Sequence, residues 1–206
     1  MDQSEPHERY GAALDLAWAK LGESNLRELV EGAGGSLQAD EISLPNFDQS
    51  IIINVKSRSM RTGPRELGIS DRILALHYLL GCDRSRPTGN LISFAQAPGG
   101  DVYFSAFKKR SIDRLAEMFG DSPERLIKAG SLLGGEPLQM ATAAIKLPVY
   151  PMLPIVVLIW QGDDEVEPAA NLLFDESAVR ILTTEDLAMV ASSAVSRLAQ
   201  ALQAVQ

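Results

Sequence analysis

The stretch from Leu147 to Asp175 constrains this chain more than any other. It opens with a proline-punctuated run, Leu147-Pro148-Val149-Tyr150-Pro151-Met152-Leu153-Pro154, followed by six apolar residues, Ile155-Val156-Val157-Leu158-Ile159-Trp160. A β-branched run of that length without alternation predicts a strand covered on both faces, at 155–160. The sequence then turns polar at Gln161-Gly162-Asp163-Asp164-Glu165 and returns to apolar at Asn171-Leu172-Leu173-Phe174-Asp175. A strand of this kind needs a layer on each side of it. The remainder of the chain reads as the supply of those layers.

Helical spacing places one helix at 7–21, through Leu14, Ala17, Trp18 and Leu21, and a second after Ser24, stopped by Gly34-Gly35. Strands follow at 37–44 and 50–56 around the turn Pro45-Asn46-Phe47-Asp48. The segment Ser57–Gly68 reads as a basic loop, and Arg72–Leu80 as a short helix that is apolar almost all round. Leu91–Phe94 and Val102–Phe107 read as a hairpin, with Lys108-Lys109-Arg110 at its exposed edge. Ser111 starts a helix that Gly120 ends, and Ser122-Pro123-Glu124 starts the next. Leu138–Val149 leads as a strand into the apolar run, and Val179–Leu182 reads as one more strand. Thr183 caps a final amphipathic helix at 185–203, with Glu185 and Asp186 where the dipole favours acids. The expected fold is α+β: a single globular domain over 1–206, with antiparallel strand hairpins packed against helices and a long C-terminal amphipathic helix.

The longest apolar run, Leu147–Trp160, covers 14 positions with three prolines, short of the roughly 20 a membrane span needs. The acidic, polar start carries no signal for secretion, so a cytoplasmic protein without membrane partners is expected. The only cysteine, Cys82, excludes an internal disulfide and an all-cysteine cluster within the chain. It follows a glycine at a helix end and precedes Asp83, both of which raise a thiol's pKa, so it reads as structural. A net charge of −8 argues against nucleic acid as a partner. Its distribution is uneven. From Lys56 to Arg114 there are eleven basic and five acidic residues, a net of +6, which leaves −14 for the rest.

Within that basic middle, Arg58, Arg61 and Arg65 surround Gly63-Pro64, a place where the chain can fold back and bring guanidinium forks onto a phosphate or carboxylate. A solvated basic loop is the commoner outcome for such a segment. His77, inside the apolar helix, reads either as a pocket acid–base residue or, more commonly, as a core histidine bonded to a backbone carbonyl. Trp160 stands at the end of the apolar strand, beside the acidic loop. It is assigned both to a ligand-contacting set with His77 and the arginines and to a homodimer surface with the last helix. Asp163, Asp164 and Glu165 supply hard oxygens of the kind Mg²⁺ or Ca²⁺ takes. Their spacing departs from the calcium-loop pattern, and a solvated turn that blunts the apolar strand is the commoner reading.

Several pieces also occur in a fixed order: Leu76-His77-Tyr78-Leu79-Leu80, Thr88-Gly89 before Ile92-Ser93-Phe94, Gly99-Gly100 before Tyr103, Phe119-Gly120, Leu133-Gly134-Gly135, Pro151 with Pro154, Trp160 with Gly162-Asp163, Leu173-Phe174-Asp175, and Glu185-Asp186-Leu187. In that order they resemble a family of domains of unknown function, DUF3786, seen mainly in anaerobic bacteria and archaea. The resemblance covers about 50–198, with the helical and hairpin segment 7–56 packed on it. The chain departs from the pattern at Leu91, where an aromatic is expected, and at Glu165-Val166-Glu167-Pro168. Some relatives resemble fusions to a four-cysteine iron–sulfur segment. This chain has no such segment, so the resemblance implies no iron–sulfur cluster within it.

Three functions are compatible with these residues. The first is a non-catalytic accessory module in anaerobic metabolism that binds a small anion or a partner protein. The second is a metal-assisted enzyme using the acidic loop 163–167. The third is a homodimeric assembly protein.

Overall fold

A computed structural model describes residues 4–63, 65–82 and 86–204, the side chains of 4–9, 65 and 66 excepted. The chain starts with two helices, α1 (Ser4–Glu23) and α2 (Leu26–Gly32). Asn25, one residue past the serine expected to cap α2, does the capping; its side-chain oxygen accepts the Glu28 N–H at 3.5 Å. Five strands then form an antiparallel meander in chain order: β1 (Ser36–Gln38), β2 (Glu41–Asn46), β3 (Gln49–Asn54), β4 (Ser59–Thr62) and β5 (Arg65–Glu66). The strand expected at 37–44 is therefore broken by a turn at Ala39-Asp40, and the expected basic loop is a hairpin. Ile42, Leu44, Ile51, Ile53 and Met60 face the core from this sheet.

After α3 (Ile69–Gly81) come β6 (Leu91–Ser93), a 3-10 turn (Phe94–Gln96), α4 (Gly100–Phe107), a π-helical turn (Lys108–Ile112), α5 (Asp113–Phe119) and α6 (Glu124–Leu132). The second sheet is completed by β7 (Glu136–Leu138), β8 (Ala143–Tyr150), β9 (Leu153–Trp160) and β10 (Ala169–Asp175), and two helices close the fold, α7 (Ala178–Ile181) and α8 (Thr184–Ala204). The hydrogen-bonded order of this sheet is β6-β10-β9-β8-β7, all antiparallel.

The apolar run is thus the central strand. Ile155, Val157 and Ile159 face the helices and are fully buried, each contributing about 1.5–3 kcal/mol by leaving water. Val156 and Leu158 point the other way and form a small second cluster with Ala144, flanked by Leu138 and Leu173. Trp160 ends this outer row at 42% exposure, so burial runs from 155 to 159 and stops short of the tryptophan. The sheets are tied together where Asn46 Nδ2 donates to the Val149 carbonyl at 2.8 Å and the Phe47 N–H donates to the Pro148 carbonyl at 2.9 Å.

Two expected strands are helices. Val102–Phe107 has strand-forming composition, yet it lies in α4, entered through Gly99 in the left-handed region (φ 72°). The helix lets Phe107 stack on Phe94 at 3.9 Å between centroids, while Val102 and Tyr103 stay exposed. Packing of that aromatic pair overrides local propensity. Ser111, expected to begin a helix, lies instead within the π turn of a helical segment running from Gly100 to Phe119. Val179–Leu182, likewise read as a strand, is α7 and the residue that caps it. α7 can pack against α3 because Gly81 faces the Ile181 carbonyl oxygen, which a Cβ there would strike.

Candidate functional site

α8 has two working faces. Leu187, Val190, Ala191, Ala194, Val195 and Leu198 are buried in the core. The adjoining face carries short or polar side chains, Ala188, Ser192, Ser193 and Ser196. Opposite them stand the start of α3, the 3-10 turn and α4 with its π turn. Because α8 is small here while Leu74, Phe94 and Phe107 hold their side chains back in the core, a cleft of about 610 Å³ remains along the helix. That volume lies in the range of small-molecule sites. Ser192 and Ser196 donate to the carbonyls of Ala188 and Ser192, so their hydroxyls need no further acceptor.

The charged residues of the cleft are Asp71, Glu185, Arg110 and Arg197. Asp71 lies in the first turn of α3 and Glu185 in the first turn of α8, where helix dipoles favour carboxylates. Asp71 also accepts from the Ser193 hydroxyl at 3.3 Å. Arg197 donates from Nη2 to Asn46 Oδ1 at 3.4 Å, and its guanidinium carbon stands 5.6 Å from the Phe47 ring centre. Beside this group Tyr150 is stacked on Tyr78, 4.3 Å between centroids. Burial pushes the Tyr150 hydroxyl far above the usual range; Asp71 adds to that rise and Arg197 opposes it. Arg110 is carried by the π turn, a device that re-aims side chains at functional sites. Next to it, the Ser111 hydroxyl is fully buried and finds no hydrogen-bond partner among the described residues.

His77 lies on α3, outside the cleft's lining. Its Nδ1 stands 2.9 Å from Asp186 Oδ1, and since a carboxylate only accepts, Nδ1 carries the hydrogen. Asp186 also serves as the third residue of a capping box. Its Oδ2 accepts from the Thr183 hydroxyl at 2.7 Å, and its N–H donates back to that oxygen at 3.2 Å. The Asp186 hydrogen bond raises the imidazole above its ordinary pKa, against partial burial. Burial works against the Asp186 charge, but bonds from His77 and Thr183 outweigh it and hold the carboxyl low. Of the two sequence readings, His77 is neither bonded to a backbone carbonyl nor placed in the cleft; it pairs with a buried carboxylate.

The three arginines of the basic hairpin take separate positions. Arg58 is exposed in the turn before β4 with φ 52°. Arg61 is exposed on β4 and reaches the Gly63 carbonyl at 3.5 Å, across from Glu66. Arg65 is on β5 with its side chain, like Pro64, outside the described residues. Neither Arg58 nor Arg61 lines the cleft. In the acidic loop Asp163 turns inward on its own backbone: its Oδ1 accepts the N–H groups of Glu165 and Val166, both at 2.9 Å, which holds its carboxyl below the usual range. Asp164 and Glu165 are exposed, and among the described residues no three His, Cys, Asp or Glu side chains gather as a metal site.

The ordered sequence pieces mostly serve the fold. Asp175, 2% exposed, accepts from the Thr88 N–H and hydroxyl, the Gly89 N–H, and the Ser177 N–H and hydroxyl at 2.6–3.3 Å. Tyr78 donates to the Ala33 carbonyl and accepts from the Met152 N–H. Gly120 and Gly162 both lie against Pro168. The cleft residues lie outside most of these pieces. Two signals for them exist in the sequence: Arg197 is the only basic residue on α8, and Ser192, Ser193, Ser196 and Gln200 recur at helical spacing.

A family model described as a domain of unknown function, DUF3786, matches residues 25–197 and so takes in the first sheet as well as the second. No curated protein and no solved structure matches the chain.

Proposed function

The chain belongs to the DUF3786 family of domains of unknown function, and from that premise we propose that it is a non-catalytic accessory module that binds a small molecule in the cleft along α8. One observation carries the reading: about 610 Å³ of space bordered by aromatic rings and Arg110 on one side and by the serines and Arg197 of α8 on the other. Sites for small ligands combine apolar walls with a few placed polar groups in this way. Against an enzyme stands that no activated nucleophile is found among the described residues. Among the described residues His77 is bonded to Asp186 alone, and Cys82 is buried.

A cytoplasmic location belongs to the same reading, on the single buried thiol. No helix among the described residues is long and apolar enough to cross a membrane.

A thermal-shift screen of metabolites against the protein and against Ala188→Trp, which fills the cleft, tests the reading. The expected result is a ligand that raises the melting temperature of the native chain and leaves the variant unmoved. A screen in which nothing shifts the protein, or in which Ala188→Trp responds equally, refutes it.

A further inference from the structure

We infer that the cleft takes an amphipathic organic monoanion, one acidic group carried on a flat apolar body, with Arg110 and Arg197 as its cationic contacts. This rests on the ligand-binding reading of the cleft above. The flat body follows from the walls. Tyr103, 64% exposed, offers an aromatic face to the cleft it lines, and the buried Phe94 and Phe107, stacked within 3° of parallel, make the inner wall rigid together with Leu74. Met189, whose unbranched side chain adapts its shape, borders the same space.

The acidic group follows from the charges. Asp71 and Glu185 have local compensation, since each sits in the first turn of a helix and Asp71 accepts from Ser193. The arginines have none of that kind. Ion pairs among the described residues join His77 to Asp186 and Lys108 to Asp113, and neither cleft arginine takes part in one. Arg197 is held by a neutral amide and an aromatic face, which fix its position and leave its charge unneutralised. Arg110 has no acceptor among the described residues. Guanidinium groups in this state favour a carboxylate-like partner through charge-assisted hydrogen bonds. The two acids in turn set the limit at a single negative charge, because a second one would meet Asp71 or Glu185 within the same cleft.

Two fluorescent probes that differ in one group test this on the full chain: 8-anilinonaphthalene-1-sulfonate, a monoanion, and N-phenyl-1-naphthylamine, its neutral counterpart. The sulfonate is expected to bind at one site about tenfold or more tighter than the amine. Arg110→Ala is expected to weaken the sulfonate by about tenfold and leave the amine unchanged, with Arg110→Lys recovering part of the loss. Arg110 is exposed and bonded to no described residue, so its removal spares the fold; circular dichroism checks this. Ala188→Trp is expected to abolish both. Equal affinity for the two probes, or indifference of the sulfonate to Arg110→Ala, overturns the anion inference alone. Failure of both probes to bind, or binding that survives Ala188→Trp, overturns the ligand-binding reading with it.

Discussion

Substituting His77→Gln tests whether the contact between α3 and α8 is held by charge. Asp186 is 4% exposed and keeps its carboxylate through hydrogen bonds from His77 and Thr183. A hydrogen bond to a charged group is worth about 1.5–3 kcal/mol. The His77 side chain is 33% exposed, so solvent screening reduces the expected contribution to about 1 kcal/mol. The sign follows from the direction of each shift. The imidazole pKa is raised in the folded chain, so its contribution is fully present below the unfolded value of about 6.5 and fades as pH rises through the folded one. The Asp186 pKa is lowered, so its contribution is present above the unfolded value of about 3.9 and fades as pH falls. The pair therefore stabilises most in mild acid. Urea denaturation of the native chain and His77→Gln at about pH 5.5 and about pH 8.5 is expected to show a gap of about 1 kcal/mol at the lower pH and a smaller one at the higher. The gap shrinks without vanishing, because neutral Nδ1–H still donates. A gap that is constant or grows with pH refutes the reasoning.

Asp175→Ala removes the acceptor for five donors from Thr88, Gly89 and Ser177. It is expected to cost about 3 kcal/mol, read as a lower urea midpoint with an unchanged slope. Trp160, 42% exposed at the end of the outer row of the second sheet, is expected to join two copies of the chain, since Val156, Leu158 and Ala144 along that row are already buried within one chain. Light scattering is expected to give a dimer that Trp160→Glu dissociates, and a native monomer at micromolar concentration rules this out.

The central strand and the last helix are legible in the sequence because each carries its own signal. β9 is an apolar run rich in β-branched residues, and α8 repeats its apolar residues at helical spacing behind a threonine–acid cap. α4 is not legible that way. Its aromatic residues fit a strand equally well, and only the Phe94–Phe107 stack decides between them. The cleft is hidden for a related reason. Asp71, Arg110 and Arg197 lie on three helices, and nothing local to any of them says that they border one space. Arg110 in particular reads as the charged end of a hairpin, since a π turn has no compositional signature. The hairpin arginines are prominent for the opposite reason: nearness in sequence is easy to see, yet Arg58 falls in the turn before β4 and Arg61 on the strand itself.

The π turn also changes what the length of this segment means. A helix that passes through one holds an extra residue relative to an uninterrupted α-helix, so everything after it is rotated by about 100° against everything before it. Phe107 on one side reaches Phe94, while Leu115 and Phe119 on the other are fully buried, with α5 packed on β9 and β10. Excising any single residue between Lys108 and Ile112 would let the helix run true and would turn one of these two sets out of the core. Deletion is then not tolerated even at Lys108 and Lys109, whose exposed side chains are open to substitution.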